Sequence, residues 1–312
     1  MTDPAHPFGR KAIQLAVIDE VSSYAGLRKF HVEGGRCFLN NRPIFLRFVL
    51  DQGFYPDGIW TAPDDEAIRR DIELAKRAGF NGARLHQKVF DERYHYYADR
   101  LGFLTWGEFP DWGIGFWRQF TDHPVDSYHA FRDYFPQWRE AVCRDRNHPS
   151  IVAWTPFNER NKPADIAEHL RFIADIYDLT RSLDPTRPVN DTSGLIHSKT
   201  DLWTVHNYTQ DAALLAEQLK RAPVYMYKPE IEERAWKGQP FLLDEFGGVT
   251  YIPPGTDDEK NLWGYGTPSA SPEAALSIMK DLTRTVMECG LAGYCYTQLT
   301  DVEQERNGLY QS

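Results

Sequence analysis

Two glutamates carry the clearest chemical signal in the chain. The segment IVAWTPFNE runs apolar until Asn158-Glu159, and PFLLDEFGG runs apolar until Asp244-Glu245 before turning through Gly247-Gly248. A carboxylate at the end of an apolar strand is costly to bury unless it is paired or used, so position alone marks Glu159 and Glu245. Two carboxylates flanking one bond can cleave a glycoside. One, kept protonated by its surroundings, gives a proton to the leaving oxygen, while the other stays ionised and attacks or supports the sugar carbon. A separation of ~5–5.5 Å retains configuration, and a wider gap admits an inverting water. Other apolar runs also end in polar side chains: Arg84 with His86, Glu108, and His206-Asn207-Tyr208. Each of these alone is as consistent with a structural hydrogen bond as with ligand contact; together they describe a polar, aromatic-flanked pocket.

The elements that must position these residues read as alternating strands and helices. Strand candidates rich in branched and aromatic residues fall at Phe45–Leu50, Gly82–His86, Phe103–Glu108, Ile151–Asn158, Pro188–Asp191, Leu202–Asn207, Pro240–Glu245 and Gly293–Thr297. Between them, residues 64–78 carry Ile68, Ile72 and Ala75 on one helical face, with Asp64, Asp65 and Glu66 in the first turn and Gly79 at the close. Asp91–Leu101 closes at Gly102, and further helices are expected at 126–146, 163–183, 211–221 and 272–289. Eight strands alternating with helices specify an α/β chain folded as a (β/α)8 TIM barrel, with its site at the carboxyl ends of the strands. Strands four and seven then face each other across the mouth, so Glu159 and Glu245 can flank one ligand.

Both ends depart from that plan. Residues 12–21, AIQLAVIDEV, read as a lone strand ahead of the barrel, and the short tail after the eighth strand holds the turn signal Asn307-Gly308. The eighth helix is therefore expected to be short or missing, and the flanks of strands eight and one to be under-covered. The division expected is an N-terminal extension, 1–29, and a barrel, 30–312. An atypical closure and a piece cut from a longer chain both explain such ends.

Composition narrows the partners. The 312 residues carry a formal net charge of −10, which disfavours nucleic acid or an anionic membrane as a partner. Aromatic residues make up 14% of the chain, which suits a site that stacks flat ring faces. Cys37, Cys143, Cys289 and Cys295 show no metal-ligand spacing, so no metal site is expected. The start of the sequence lacks the apolar core of a signal peptide, and no apolar run is long enough to span a bilayer; the expectation is a cytoplasmic protein.

Five segments, LNNRPIFLRFVLDQGFYPDG, APDDEAIRRDIELAKRAGFNGARLHQ, YADRLGFLTWGEFP, RDRNHPSIVAWTPFNE and FLLDEFGG, occur in an order that resembles the catalytic barrel of glycoside hydrolase family 2. That family includes β-galactosidases, β-glucuronidases and β-mannosidases, and the resemblance covers roughly residues 24–310. It implies a retaining double displacement without a cofactor, with Glu159 as acid/base and Glu245 as nucleophile. It further implies that Asn158 holds the sugar 2-hydroxyl and that Tyr208 hydrogen-bonds the nucleophile. His86, Glu108 and Asp51 would meet sugar hydroxyls, Arg84 would support Glu245 through its charge, and His206 and Asn207 would line the same pocket.

Some features depart from the family pattern. Residues 10–28 resemble only the last strand of the family's immunoglobulin-like domain, so the extension reads as its remnant, and β-sandwich domains or further copies of the chain are the candidate protein partners. After strand eight the family's tryptophan is replaced by GYCYTQLTD, where Tyr296 or Gln298 would have to stand in. Trp112 and Trp117 could wall the leaving-group side. The Asn-x-Lys pattern of the glucuronidase branch is absent near Glu305-Arg306-Asn307, which disfavours a glucuronide. The expected activity is an exo-acting retaining β-glycosidase on terminal neutral sugars, galactoside ahead of arabinoside, mannoside and glucoside. Two other readings compete with it. One is a non-catalytic or weakly active sugar-binding barrel; the other is a metal-dependent barrel hydrolase, which lacks the H-x-H it would need on strand one.

Overall fold

A computed structural model describes residues 18–111, 127–159, 166–194, 196–221, 236–256 and 261–311. The first elements are strands for which the expected plan had no place: β1 (Phe30–Glu33), β2 (Arg36–Leu39) and β3 (Arg42–Ile44) form an antiparallel sheet. Its two turns are Gly34-Gly35 and Asn40-Asn41, all four residues at positive φ between 52° and 73°. Two-residue hairpins with left-handed centres match the twist of the strands they join, and Gly and Asn tolerate that conformation best. Phe30 and Cys37 from this sheet are buried against Leu46, Phe48, Trp106, Leu202, Leu242 and Ala292. Several of these residues begin or precede barrel strands, so the small sheet stoppers the amino end of the barrel and leaves the carboxyl end for chemistry.

The barrel strands are β4 (Leu46–Asp51), β5 (Gly82–Leu85), β6 (Leu104–Glu108), β7 (Ile151–Thr155), β8 (Trp203–Asn207), β9 (Phe241–Gly247) and β10 (Gly293–Thr297). They pair in parallel in the order β7-β6-β5-β4-β10-β9-β8. The fifth expected strand, 188–191, is not a regular strand; it joins β7 through isolated bridges, Trp154 to Val189 and Asn158 to Ser193. The cause is local: both carboxylate oxygens of Asp191 accept backbone N–H groups, from Thr192, Ser198 and Lys199, which turns the chain instead of extending it. Asp201 N–H nevertheless donates to Val189 O, so this segment fills the gap between β7 and β8 and the eight positions of the barrel are occupied.

The helices are α1 (Asp65–Arg77), α2 (Glu92–Leu101), α3 (Ser127–Asp145), α4 (Ile166–Leu183), α5 (Ala212–Arg221) and α6 (Pro272–Glu288). Asp64 caps α1 by accepting from Ala67 N–H, and Ile68, Ile72 and Ala75 are its buried face, as the spacing predicts. Gly102 ends α2 at φ 62°, a left-handed cap that glycine adopts without strain. Among the described residues no helix is long and apolar enough to cross a membrane.

At the chain ends two expectations are corrected. Residues 12–17 lie outside the described residues, and 18–21 are not a strand; among the described residues no strand pairs with them, and Ile18 and Val21 are exposed. After β10 no helix follows within the described residues, but the flank is not bare. Leu309 packs into the apolar layers beside both β9–β10 and β4–β5, and the Tyr310 hydroxyl donates to Leu74 O of α1. An extended tail thus covers the seam between β10 and β4 in the place of a helix.

Candidate active site

Glu245 faces the mouth because of a defect in its strand. The β9 register slips by one residue against both neighbours: between Val205 and His206 of β8, and between Tyr294 and Tyr296 of β10. Strict alternation would send Asp244 and Glu245 to opposite faces. With the bulge, Leu243 and Phe246 both pack outward under the helices, while Asp244 and Glu245 both turn inward. Glu159 is aimed by a different device. It sits at φ 49°, left-handed for a side-chain-bearing residue, with its N–H held by Ser193 O at 2.9 Å. Such a conformation costs on the order of 1–3 kcal/mol and concentrates at functional positions.

One oxygen of Glu159, one oxygen of Glu245 and a ring nitrogen of His206 all lie within 4.8 Å of one another. Arg84, on β5, is fully buried behind them. Its Nε donates to Glu108 Oε2 at 2.6 Å, Nη1 lies 2.9 Å from Glu245 Oε1, and Nη2 donates to Asn158 Oδ1 at 2.8 Å. Tyr208 donates its hydroxyl to Glu245 Oε2 at 2.5 Å. Burial alone would raise the Glu245 carboxyl, but His206, Arg84, His86 and the Tyr208 hydrogen bond outweigh it and hold the group down at about 2. Glu245 is therefore an anion throughout the physiological range.

His206 bridges the two glutamates. Its Nδ1 is 2.8 Å from Glu159 Oε1 and 3.3 Å from Glu245 Oε2, and its Nε2 is 2.9 Å from Ser193 Oγ. Ser193 in turn donates to Asp244 Oδ2 at 2.7 Å, so its oxygen accepts from the ring. Nδ1 lies within reach of a carboxylate oxygen of each glutamate, and donation there as well as to Ser193 makes the ring an imidazolium. Burial pulls the proton off, yet Glu245, Asp244 and Glu159 together push the group up to about 9. The three-donor cluster has the spacing of a cation site, and the hydrogen bonds of His206 to Glu159 and Ser193 also make it an ion-pair relay between the two glutamates.

A pH prediction follows from these two groups. Glu245 sits below its ordinary 4.5, so its stabilisation is present above that value and lost as pH falls toward 2. His206 sits above its ordinary 6.5, so its stabilisation is full below 6.5 and lost as pH rises through about 9. Denaturant unfolding should show a loss of stability between about pH 7 and 10 in the unaltered protein that is much reduced in His206→Gln. Equal pH slopes for the two proteins would contradict the imidazolium assignment.

Other expected site residues are brought to the mouth but spent on their neighbours. The Glu108 side chain has no accessible surface and serves Arg84, while Asp51 accepts from Gly53 N–H and the Tyr94 hydroxyl. Asn207 turns toward α5, donating to Gln218 Oε1 at 2.7 Å and accepting from Thr209 N–H. His86 remains at the surface of the pocket, with Nδ1 accepting from Arg84 Nη2 at 2.8 Å. Tyr296 faces the wrong way for a sugar floor. Alternation along β10 puts Tyr294 and Tyr296 under the helices and Cys295 in the barrel, so Thr297 is the residue turned to the mouth, its Oγ1 3.2 Å from the Tyr208 hydroxyl. Gln298 is buried, its amide spent on Asn307 and Gln52. Trp112 and Trp117 lie outside the described residues.

The sequence reading missed Ser193, Asp244 and Tyr265. Tyr265 stacks flat on Tyr208, ring centroids 3.4 Å apart, and so fixes the hydroxyl that serves Glu245. Nothing in its local sequence, NLWGYGTP, marks that contact. Asp244 was visible beside Glu245, but only the bulge makes it a neighbour of His206.

A (β/α)8 barrel with two inward carboxylates at its mouth, one a fixed anion and one on a strained turn, defines the architecture of a glycosidase domain. The family described as "Glycosyl hydrolases family 2, TIM barrel domain" matches residues 30–263, and the chain belongs to it. A β-galactosidase from Lactococcus lactis is 28% identical over 185 residues, a stretch covering 57% of this chain and 17% of that protein. A putative β-glucuronidase from Formosa agariphila is 29% identical over 183 residues, covering 55% of this chain and 20% of that protein. Among solved structures, a β-D-glucuronidase from Dictyoglomus thermophilum superposes with a TM-score of 0.72 at 22% identity, covering 92% of this chain and 51% of that one. A family 2 β-galacturonidase from Eisenbergiella tayi gives 0.70 at 22% identity, covering 89% and 48%. The chain thus spans about half the length of these solved relatives and its matched part under a quarter of the curated ones; the structural likeness shows the fold.

Proposed function

We propose that this chain is the catalytic barrel of an exo-acting retaining β-glycosidase that removes terminal neutral sugars, galactosides first. The observation that carries the mechanism is the approach of Glu159 and Glu245, with carboxylate oxygens within 4.8 Å. An approach that close is nearer the ~5–5.5 Å of a retaining pair than the ~6.5–9.5 Å across which an inverting pair holds a water. Glu245, anionic and oriented by Arg84 and Tyr208, attacks the anomeric carbon; Glu159 delivers a proton to the departing oxygen. In the second half Glu159 takes a proton from water, which displaces Glu245 and restores the starting configuration. Asn158, oriented by Arg84, is placed to hold the 2-hydroxyl, a contact that strengthens as the ring flattens.

The neutral-sugar choice rests on the likeness to the Lactococcus lactis β-galactosidase and on the pairing of the tail arginine. Arg306, the arginine of the tail, is paired with Asp301 Oδ2 at 3.3 Å, a structural carboxylate. The test is a panel of nitrophenyl β-galactoside, arabinoside, mannoside and glucoside, with the first-formed product read by proton NMR. Hydrolysis of the galactoside with a β-anomer appearing first is expected. An α-anomer first, or no turnover by folded protein on any member, would overturn the proposal.

A further inference from the structure

Beyond the catalytic pair, four side chains at the mouth close a hydrogen-bonded ring. Gln52 Nε2 donates to Gln298 Oε1 at 2.7 Å and to Glu305 Oε2 at 3.2 Å; Gln298 Nε2 donates to Asn307 Oδ1 at 2.7 Å; Asn307 Nδ2 donates to Glu305 Oε1 at 3.1 Å. Gln298 and Asn307 are buried and form the base of the ring, whereas Gln52 and Glu305 are half-buried and form its accessible edge. The amide N–H groups of three side chains thus run round the ring, and two of them, from Gln52 and Asn307, hold one oxygen each of the Glu305 carboxylate.

The location of this ring matters. Gln52 follows β4, and Gln298 follows Thr297 of β10, whose Oγ1 touches the Tyr208 hydroxyl. Glu305 lies on a tail segment bridged to Trp263, two residues from the Tyr265 ring that stacks on Tyr208. In the order β7-β6-β5-β4-β10, four steps separate β7 from β10, half the circumference of an eight-position barrel. Glu159, the proton donor of the proposed mechanism, is therefore across the mouth from the ring.

We propose that Glu305 is a specificity-determining residue for this site: an oriented carboxylate that accepts a hydroxyl from the non-reducing side of a neutral sugar and excludes a sugar that carries a carboxylate there. The proposal rests on the glycosidase reading and deepens it. Both Glu305 oxygens accept amide N–H groups, an arrangement suited to the ionised form, and each keeps a lone pair for a further donor. A second anion would meet Glu305 with Glu245 nearby: burial already pushes the Glu305 carboxyl up and Glu245 adds to it, while Asn307, His86 and Gln52 oppose. Like charges brought together at a desolvated contact discriminate strongly, which is rejection by repulsion in place of a clash of shape.

The test uses galactose, galacturonate and galacturonamide, the last having the shape of the acid without its charge. Each is titrated calorimetrically into the full chain at pH 7.5, and the corresponding nitrophenyl β-glycosides are assayed in parallel. Galactose and galacturonamide should bind at least ~100-fold more tightly than galacturonate, and Glu305→Gln should shrink that ratio by ~10-fold or more. Galacturonate binding as well as its amide, a ratio unchanged in folded Glu305→Gln, or no binding of any of the three would overturn the assignment. The comparison of acid with amide needs no variant, so a Glu305→Gln protein that fails to fold leaves the test intact. Discrimination in binding with no turnover of any glycoside would instead overturn the glycosidase reading and sustain the role of Glu305.

Discussion

Glu245→Gln is expected to lower kcat by at least about three orders of magnitude, a barrier increase of roughly 4 kcal/mol at about 1.4 kcal/mol per factor of ten. The amide keeps the size and the hydrogen-bonding plane of the carboxylate but not its charge, and the charge is what Arg84, Tyr208 and His206 are arranged around. Glu159→Gln should behave differently. Proton donation matters least when the departing group is already a good one, so that variant should retain glycosylation of a dinitrophenyl glycoside and lose it on an alkyl glycoside. Rates compared across leaving groups check both statements. Equal losses for the two variants on all leaving groups would remove the division of labour.

Arg84→Leu is expected to be the most damaging single change to the fold around the site, costing about 3–5 kcal/mol in denaturant unfolding. The guanidinium is fully buried and pairs with Glu108 at 2.6 Å and Glu245 at 2.9 Å, so its removal leaves two carboxylates without their cation. Its Nη1 also donates to Asp244 O at 2.8 Å, tying the bulge in place. Lysine should not rescue, because a point charge on a flexible stem cannot reproduce contacts made by three guanidinium nitrogens. With Arg84 gone, the Glu245 carboxyl rises from about 2, so the acid limb of the pH–rate profile should move to higher pH. A stability loss below about 1 kcal/mol, or an unmoved acid limb, would contradict this role.

Much of the architecture is legible in the sequence because the relevant signals are local and periodic. Ile68, Ile72 and Ala75 with Asp64 and Gly79 mark α1, and the apolar run ending at Glu159 marks β7. The stopper hairpins were also written there, in Gly34-Gly35 and Asn40-Asn41, but the strands they join are only three or four residues long and carry little alternation of their own. The fifth barrel strand reads as extended from Pro188–Asp191, and Asp191 then captures the backbone, which no period can announce.

At the site, residue type located Glu159, Glu245, Arg84 and Tyr208, because a charge or hydroxyl ending an apolar strand stands out. What it could not give was direction. Tyr296 and Thr297 differ by one position and so by one face, and the β10 alternation gives the mouth to Thr297. Asp244 and Glu245 break the same rule through a bulge that two neighbouring strands impose. Glu305 was read only as part of a missing pattern; its ring with Gln52, Gln298 and Asn307 joins residues up to 255 positions apart in sequence, which only the closed barrel brings together.

The most direct measurement is to trap the reaction halfway. A 2-deoxy-2-fluoro-β-galactoside with a dinitrophenyl leaving group slows both steps by withdrawing electron density from the forming cation, while the good leaving group preserves the first step. Intact-protein mass spectrometry followed by peptide mapping should find one fluorosugar per chain, esterified to Glu245, with no label in Glu245→Gln. A label on Glu159 or elsewhere, or turnover of the parent galactoside by a protein that never acquires the adduct, would contradict the nucleophile assignment and the retaining mechanism built on it.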